Sequence, residues 1–592
     1  MTTKTLFFVL STLCLGFGPG EVLAQTTFYV DATLGRDAYN GTMPAVDDSL
    51  QQGPWRSIAR VQAQALVPGD VILFKRGEIW REILSLSSSG SAGQPITVGA
   101  YASGPLPVLS GANPVGGWSV SDPARAIYQA SVGTEPGVVY VGLARGARRA
   151  SVGQLASAND WSWSAGTLSL LTPSAPGGSV EAGARGAAIA ILGQSYITIQ
   201  DVALERTNGS GLYVETAATA TSNITIQRVT ARGSRHAGLA FKNGHPTLET
   251  TAVLIVENTV YENGSSGINV SEGISDITIA RNISHHNNWS GDIYEAGIRV
   301  WGDRRSGRNL VVEHNETYGT YFRGTGWQNG HGIWIDEVAD GAIVRYNYAH
   351  DNENVGIFVE HSHRARVYYN LVVNSGDASI MLYRGVDRNE VYNNTIYGGG
   401  TGIRLAGDGQ AASVTGNLIK NNISVGPTGQ RLMGGDGGEN DGTKGYGNVY
   451  LYNAFGAERP GFITWGYDVG NSTYAEWEAR YGGATRSVRE DPLFVGPADF
   501  RLMTASPCLG AGVAVGLDVD IRGAAVPANA PPDMGAYQGA ATAPVARSGH
   551  AGSAGQTVVD GRGLSRELPP GIALLHFLIA GLPHCRGCPG IS

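Results

Sequence analysis

Gly332-Ile333-Trp334-Ile335-Asp336 and Gly356-Ile357-Phe358-Val359-Glu360 start 24 residues apart and share one frame: a small residue, then apolar residues at the second and fourth places. Working outward, the frame recurs as Gly-Leu-Tyr-Val-Glu from Gly211, Gly-Leu-Ala-Phe-Lys from Gly238, Gly-Ile-Asn-Val-Ser from Gly267 and Gly-Ile-Arg-Val-Trp from Gly297. It continues as Ser-Ile-Met-Leu-Tyr from Ser379 and Gly-Ile-Arg-Leu-Ala from Gly402. Successive starts lie 27, 29, 30, 35, 24, 23 and 23 residues apart, the length of one solenoid coil. The alternation is that of a strand with one buried face.

A second register runs beside the first. Asn258, Asn282, Asn315, Asn347, Asn370, Asn394 and Asn417 each follow a β-rich run. Asn is poor in strands, so seven in step predict a ladder of amides stacked at one bend of successive coils. The two registers resemble the right-handed parallel β-helix of the pectate-lyase-like superfamily, over 71–424 and most clearly over 195–424. The resemblance implies an all-β solenoid that acts on polysaccharides. Polygalacturonase-like members would show N-T-D, D-D, G-H-G and R-I-K. Only Gly330-His331-Gly332 matches, since Asp47-Asp48 falls outside the coils.

Composition agrees with a turn-rich solenoid. Gly is 85 of 592 residues, about twice the ordinary share, without a collagen period. Lys+Arg number 42 and Asp+Glu 50, a formal charge of −8 that excludes a generic nucleic-acid binder. Residues 1–24 read as an export signal: Lys4, an apolar run over 6–17, and Val22-Leu23-Ala24 before the cleavage point. The mature protein is therefore expected to be secreted or periplasmic, without a membrane span, and monomeric. Beyond Cys14 in the signal, only Cys508, Cys585 and Cys588 remain, too few for a disulfide framework.

The expected organisation is an N-terminal cap over 25–70 with a short helix after Pro54-Trp55, coils over 71–425, a C-terminal cap over 426–540 with a small helix at 472–480, and a disordered tail over 541–592. Solenoids need both caps to keep the core dry.

Chemistry should sit on the outward positions of the repeat. The third reads Tyr213, Ala240, Asn269, Arg299, Trp334, Phe358, Met381 and Arg404, and the fifth Glu215, Lys242, Ser271, Trp301, Asp336, Glu360, Tyr383 and Ala406. Aromatic rings interleaved with charge suit a sugar chain, whose C–H faces stack while its hydroxyls hydrogen-bond. Trp301, Trp334, Phe358, Arg404, Arg384 and Trp327 are thus the expected substrate contacts, with Trp334 facing solvent. The insertions at 284–296 (His285, His286, Trp289, Asp292, Tyr294, Glu295) and 318–331 (Tyr318, Tyr321, Phe322, Arg323, Trp327, His331) are the expected groove walls.

Asp336 and Glu360 fall in one column of consecutive coils, so their backbones should lie about 4.8 Å apart. Two carboxylates so close raise one pKa unless something relieves them. Ca²⁺ held by Asp336, Glu337 and Glu360 would do so. So would protonation in a glycosidase pair, or neutralisation by Arg299, Arg384 or Arg404. The reading favoured by the sequence is an exported lyase that cleaves a uronate-containing exopolysaccharide by β-elimination. In it Arg299 and Arg404, or Ca²⁺ on Asp336 and Glu360, neutralise the carboxylate, His331, His361 or Lys242 is the base, and Tyr383 the donor. A glycoside hydrolase using Asp336 and Glu360, a mannuronan-type epimerase and a non-catalytic glycan-binding solenoid are the alternatives.

Overall fold

The computed structural model describes residues 25–303, 307–323, 329–338, 340–407, 414–434, 447–465 and 469–541, and the backbone of 558–559 and 565–566. The export segment 1–24, nearly all of the expected tail, and Trp327 lie outside the described residues.

Three long sheets wind around one core. Sheet A has 13 parallel strands, from Thr27–Val30 to Val449–Leu451. Sheet B has 13, from Leu84–Leu86 to Gly470–Asn471, the last of them antiparallel. Sheet C has 11, from Ile79–Trp80 to Ile423–Val425. The repeated frame is sheet B in the expected register: Ile333 pairs with Ile357, Trp334 with Phe358 and Asp336 with Glu360. Its second and fourth positions point inward. Ile333, Ile335, Ile357, Val359, Ile380 and Leu382 are fully buried in a core that runs from Phe28 to Trp477. Each such side chain contributes about 1.5–3 kcal/mol.

The amide ladder is real but longer than its sequence trace. Asn258 donates its side-chain amide to Asn282, and the chain of bonds continues through Asn315, Asn347, Asn370 and Asn394 at 2.9–3.0 Å. It then passes to Asn422 and Asn453. Asn417 belongs instead to a second ladder, between Asn389 and Asn448. Each rung of the first ladder follows a residue with positive φ, such as Arg281 (54°), Tyr346 (58°) and Tyr369 (50°). The left-handed bend strands backbone groups, and the stacked amides satisfy them. Asn347, for example, donates to the Val312 carbonyl at 2.9 Å.

The coils extend past both expected limits. Thr27–Val30 pairs with Val71–Lys75, so the N-terminal cap supplies the first strand of sheet A. Its helix is only Ile58–Gln62, with Ser57 as N-cap. At the other end Leu432–Gly434 and Ile463–Trp465 continue sheet B beyond residue 425. The small C-terminal helix is Tyr474–Tyr481. Thr473 and Glu476 form its capping box and Gly482 (φ 80°) ends it. Its Trp477 closes the core beneath Trp465.

One element has no counterpart in the repeat analysis. Between Val108–Ser110 of sheet C and Ala187–Leu192 of sheet B, the chain builds two four-stranded antiparallel sheets. These have their own small core around Val139, Trp161, Leu168 and Leu170. This insertion leaves the coils at the corner between sheets C and B.

Candidate functional site

The outer face of sheet B carries the charged and aromatic columns. Lys242, Ser271, Trp301, Asp336, Glu360, Tyr383 and Ala406 pair in succession, as the repeat requires. After each of Asp336, Glu360 and Tyr383 comes a residue with positive φ, namely Glu337 (51°), His361 (44°) and Arg384 (50°). This bend, where the chain leaves sheet B, brings the next side chain back beside the column.

The result is one compact cluster. His361 Nδ1 lies 3.2 Å from Asp336 Oδ1 and 3.9 Å from Glu360 Oε1. An Arg384 guanidinium nitrogen lies 3.6 Å from the same Glu360 oxygen. Asp336, Glu360 and His361 each offer a ligand atom, and these atoms lie within 4.8 Å of one another. Both carboxylates are buried, Glu360 the more deeply at 2% exposed, and among the described residues its Oε1 has no hydrogen-bond partner. Burial, reinforced by the Asp336 charge, pushes its carboxyl up to about 7, although His361 and Arg384 pull the other way. At neutral pH the pair can thus hold one proton between two carboxyls.

The Glu337 carboxylate accepts the Trp301 indole N–H at 3.0 Å. The three groups that do converge include a ring nitrogen, so they differ from the Asp336–Glu337–Glu360 set expected for Ca²⁺, which prefers oxygen ligands.

Several expected contacts are corrected by what covers the face. Trp334 and Phe358 point outward but are completely buried, in a second apolar cluster with Ala296, Val355, Ala378 and Met381. Tyr294 of the 284–296 insertion stacks over Trp334 with ring centroids 6.2 Å apart. Neither ring is open to a sugar. His331 is wholly buried against Trp334 and Phe358, and burial pushes it down to about 3. It is a neutral core histidine, out of reach as a base. Lys242 is exposed but three strand steps from Asp336, roughly 14 Å along the sheet. Arg404 is engaged by Asp377 at 2.8 Å. Tyr383 remains half-buried beside Arg384, whose guanidinium lies 4.8 Å from the ring centre.

The 284–296 insertion packs at the corner between sheets C and B, and residues 324–328 of the 318–331 insertion lie outside the described residues. Trp289 sits under Arg145 of the antiparallel insertion at 3.8 Å, and Arg235 holds Asp292 at 3.1 Å. Glu295 is tied to the Ser266 N–H at 2.9 Å and to the Ser266 hydroxyl. Burial pushes its carboxyl up to about 7 as well. His285 faces elsewhere: it stacks between Tyr261 (4.8 Å) and Tyr318 (4.7 Å) on sheet C, and burial pushes it down to about 3. Asp377 and Arg145 escaped the sequence reading because both act across coils or domains. No local pattern marks either.

Comparison with known proteins agrees with this architecture. The family described as the right handed beta helix region matches residues 182–325 and 296–431. No curated protein sequence matches the chain. Among solved structures, one titled "The complex structure of XylC with xylose" aligns at 15% identity and a TM-score of 0.51, covering 68% of this chain and 76% of that one. Another, titled "Glycoside hydrolase", aligns at 11% identity and a TM-score of 0.50, covering 78% and 99%. The fold is that of a right-handed parallel β-helix. Among the described residues no helix is long and apolar enough to cross a membrane.

Proposed function

We propose that this is an exported glycoside hydrolase of the retaining type, acting on a polysaccharide through Asp336 and Glu360. The carrying observation is their separation: carboxyl oxygens of the two residues lie within 4.8 Å. Retaining enzymes hold their carboxyls about 5–5.5 Å apart, whereas inverting enzymes leave about 6.5–9.5 Å for a water. Asp336, steadied by His361, attacks the anomeric carbon. Glu360, protonated up to about pH 7, gives its proton to the leaving oxygen. In the second half it takes a proton from water, which releases the sugar from Asp336. Both solved structures named above carry sugar-related titles, xylose in one and glycoside hydrolase in the other, in keeping with a sugar-cleaving role.

A lyase is the second reading. It is favoured by the convergence of Asp336, Glu360 and His361, which could hold a cation against a substrate carboxylate. Against it stands the loss of His331 and Lys242 as bases near the pair, which leaves His361 as the remaining expected base there. A product assay decides between the two. Hydrolysis yields reducing ends without a new ultraviolet chromophore, and elimination yields an unsaturated uronate that absorbs. Epimerisation would leave chain length unchanged, and a binding solenoid would give no product.

A further inference from the structure

The antiparallel insertion holds an open pocket of about 300 Å³. Asn113 and Gly183 line it from one sheet and Ser131 from the other, with Gly116, Gly133 and Thr134 in the adjoining loops. Gly116 and Gly133 are the telling residues. Neither has a positive φ, and a Cβ on either would meet nothing within 4 Å. Turn geometry and close packing, the ordinary reasons for a glycine, therefore do not apply to them. What their bare backbones do is keep the pocket open. Gly183 differs, because a Cβ there would meet Asn208 Oδ1 of the coil at 2.2 Å. Two tryptophans stand at the rim. Trp118 donates its indole N–H to the Val115 carbonyl at 3.0 Å, and Trp163 donates to the Val132 carbonyl at 2.7 Å. Both acceptors belong to residues that line the pocket, and both rings are half-buried.

The lining says which ligand. Indole edges, the hydroxyls of Ser131 and Thr134, the Asn113 amide and bare backbone are the mixture that a sugar ring uses. None of the described residues that line the pocket is charged, so the ring it suits is a neutral one. The volume is at the small end for a ligand pocket, room for a single ring. The pocket is separate from the carboxylate pair. The insertion rejoins the coils at Ala187–Leu192, five strand steps before Asn329–Asp336 on sheet B, roughly 24 Å along the coil axis. Yet the insertion is fixed to the edge of that same sheet. Gly137 N–H donates to Asn208 at 2.7 Å, and Arg145 packs on Trp289. We propose that this pocket is an accessory glycan-binding site for a neutral sugar residue, which anchors a polysaccharide several units away from Asp336 and Glu360. The proposal rests on the protein's acting on a polysaccharide, and not on which reaction it performs. Two contacts on one chain raise the effective concentration of the second, so the anchor favours long glycans over short ones.

The test fills the pocket in the full chain and measures binding and cleavage separately. Gly116→Tyr and Gly133→Tyr each place a ring in open space, so both should melt like the wild type, and either serves if the other does not fold. Binding is followed calorimetrically in an Asp336→Asn background, with xylan, a β-glucan and polygalacturonate as polymers and xylobiose and cellobiose as short forms. At least one neutral polymer should bind, and each tyrosine variant should weaken it tenfold or more. Binding of the matching disaccharide in the cleft, and of polygalacturonate, should not change. Unchanged affinity for the neutral polymers in the folded variants would overturn the site, as would failure of every neutral polymer to bind. An equal loss for polygalacturonate would overturn the choice of a neutral ring. Altered sedimentation with unaltered glycan binding would assign the pocket to a second copy of the chain and overturn the proposal. Reducing ends are counted with Asp336 intact. Pocket-dependent binding without new reducing ends would leave the site standing and sink the hydrolase reading, and cleavage with pocket-independent binding would do the reverse.

Discussion

Glu360→Gln should make the protein more stable at pH 8 while removing its activity. Glu360 is 2% exposed beside Asp336, and its carboxyl is pushed from 4.5 to about 7. Below pH 4.5 it is neutral in both folded and unfolded chains and costs nothing. Between 4.5 and about 7 the unfolded chain has lost the proton that the folded chain keeps, so stability falls as pH rises. Above 7 the folded state carries the buried charge, and the accumulated cost is about 3 kcal/mol as an order of magnitude. Gln has the shape of the neutral acid and never ionises. Wild type and variant should therefore unfold alike near pH 4.5. By pH 8 the variant should be ahead by about 2–3 kcal/mol, read from denaturant midpoints at both pH values. Glu295 titrates in the same range but is common to both proteins, so it drops out of the difference. Turnover of any leaving group that needs protonation should fall by about 10²–10⁴-fold. A stability gap that is the same at pH 4.5 and pH 8 would refute the argument, since Glu360 would then not be the buried acid described here.

Other predictions test neighbouring links. Asp336→Gly should be inactive, and azide should restore turnover by attacking in place of the lost carboxylate; no rescue would remove Asp336 as nucleophile. Chelators should leave hydrolysis unchanged, whereas a loss reversed by added cation would move the chemistry towards the lyase. Trp334→Asp and Ile335→Asp should both destabilise by several kcal/mol, because both sites are fully buried, one on each face of the strand. An unchanged melting transition for Trp334→Asp would mean that the outer cluster is open. Asn347→Ala cuts four buried hydrogen bonds, to Val312, to Asn370 and two from Asn315. It should cost about 3 kcal/mol or more, and a loss under about 1 kcal/mol would show the ladder to be ornamental.

The sequence by itself determined the solenoid, the register of sheet B and the Asp336–Glu360 column. Side chains alternate strictly along a strand, and identical coils stack strand on strand, so period and alternation together fix which residues become neighbours. Even His361 beside the pair was legible, being one place after Glu360 in the repeat. Alternation states which way a side chain points but nothing about what lies above it. Only the tertiary structure decided that Trp334, Phe358 and His331 are buried, because their cover comes from elements outside the repeat frame, Tyr294 of the 284–296 insertion among them. It also decided that Arg404 is engaged by Asp377, since ion pairing across coils depends on side-chain reach rather than on spacing. Asn417 makes the same point: two ladders of amides share nearly one spacing in sequence, and only the fold separates them into different corners of the coil.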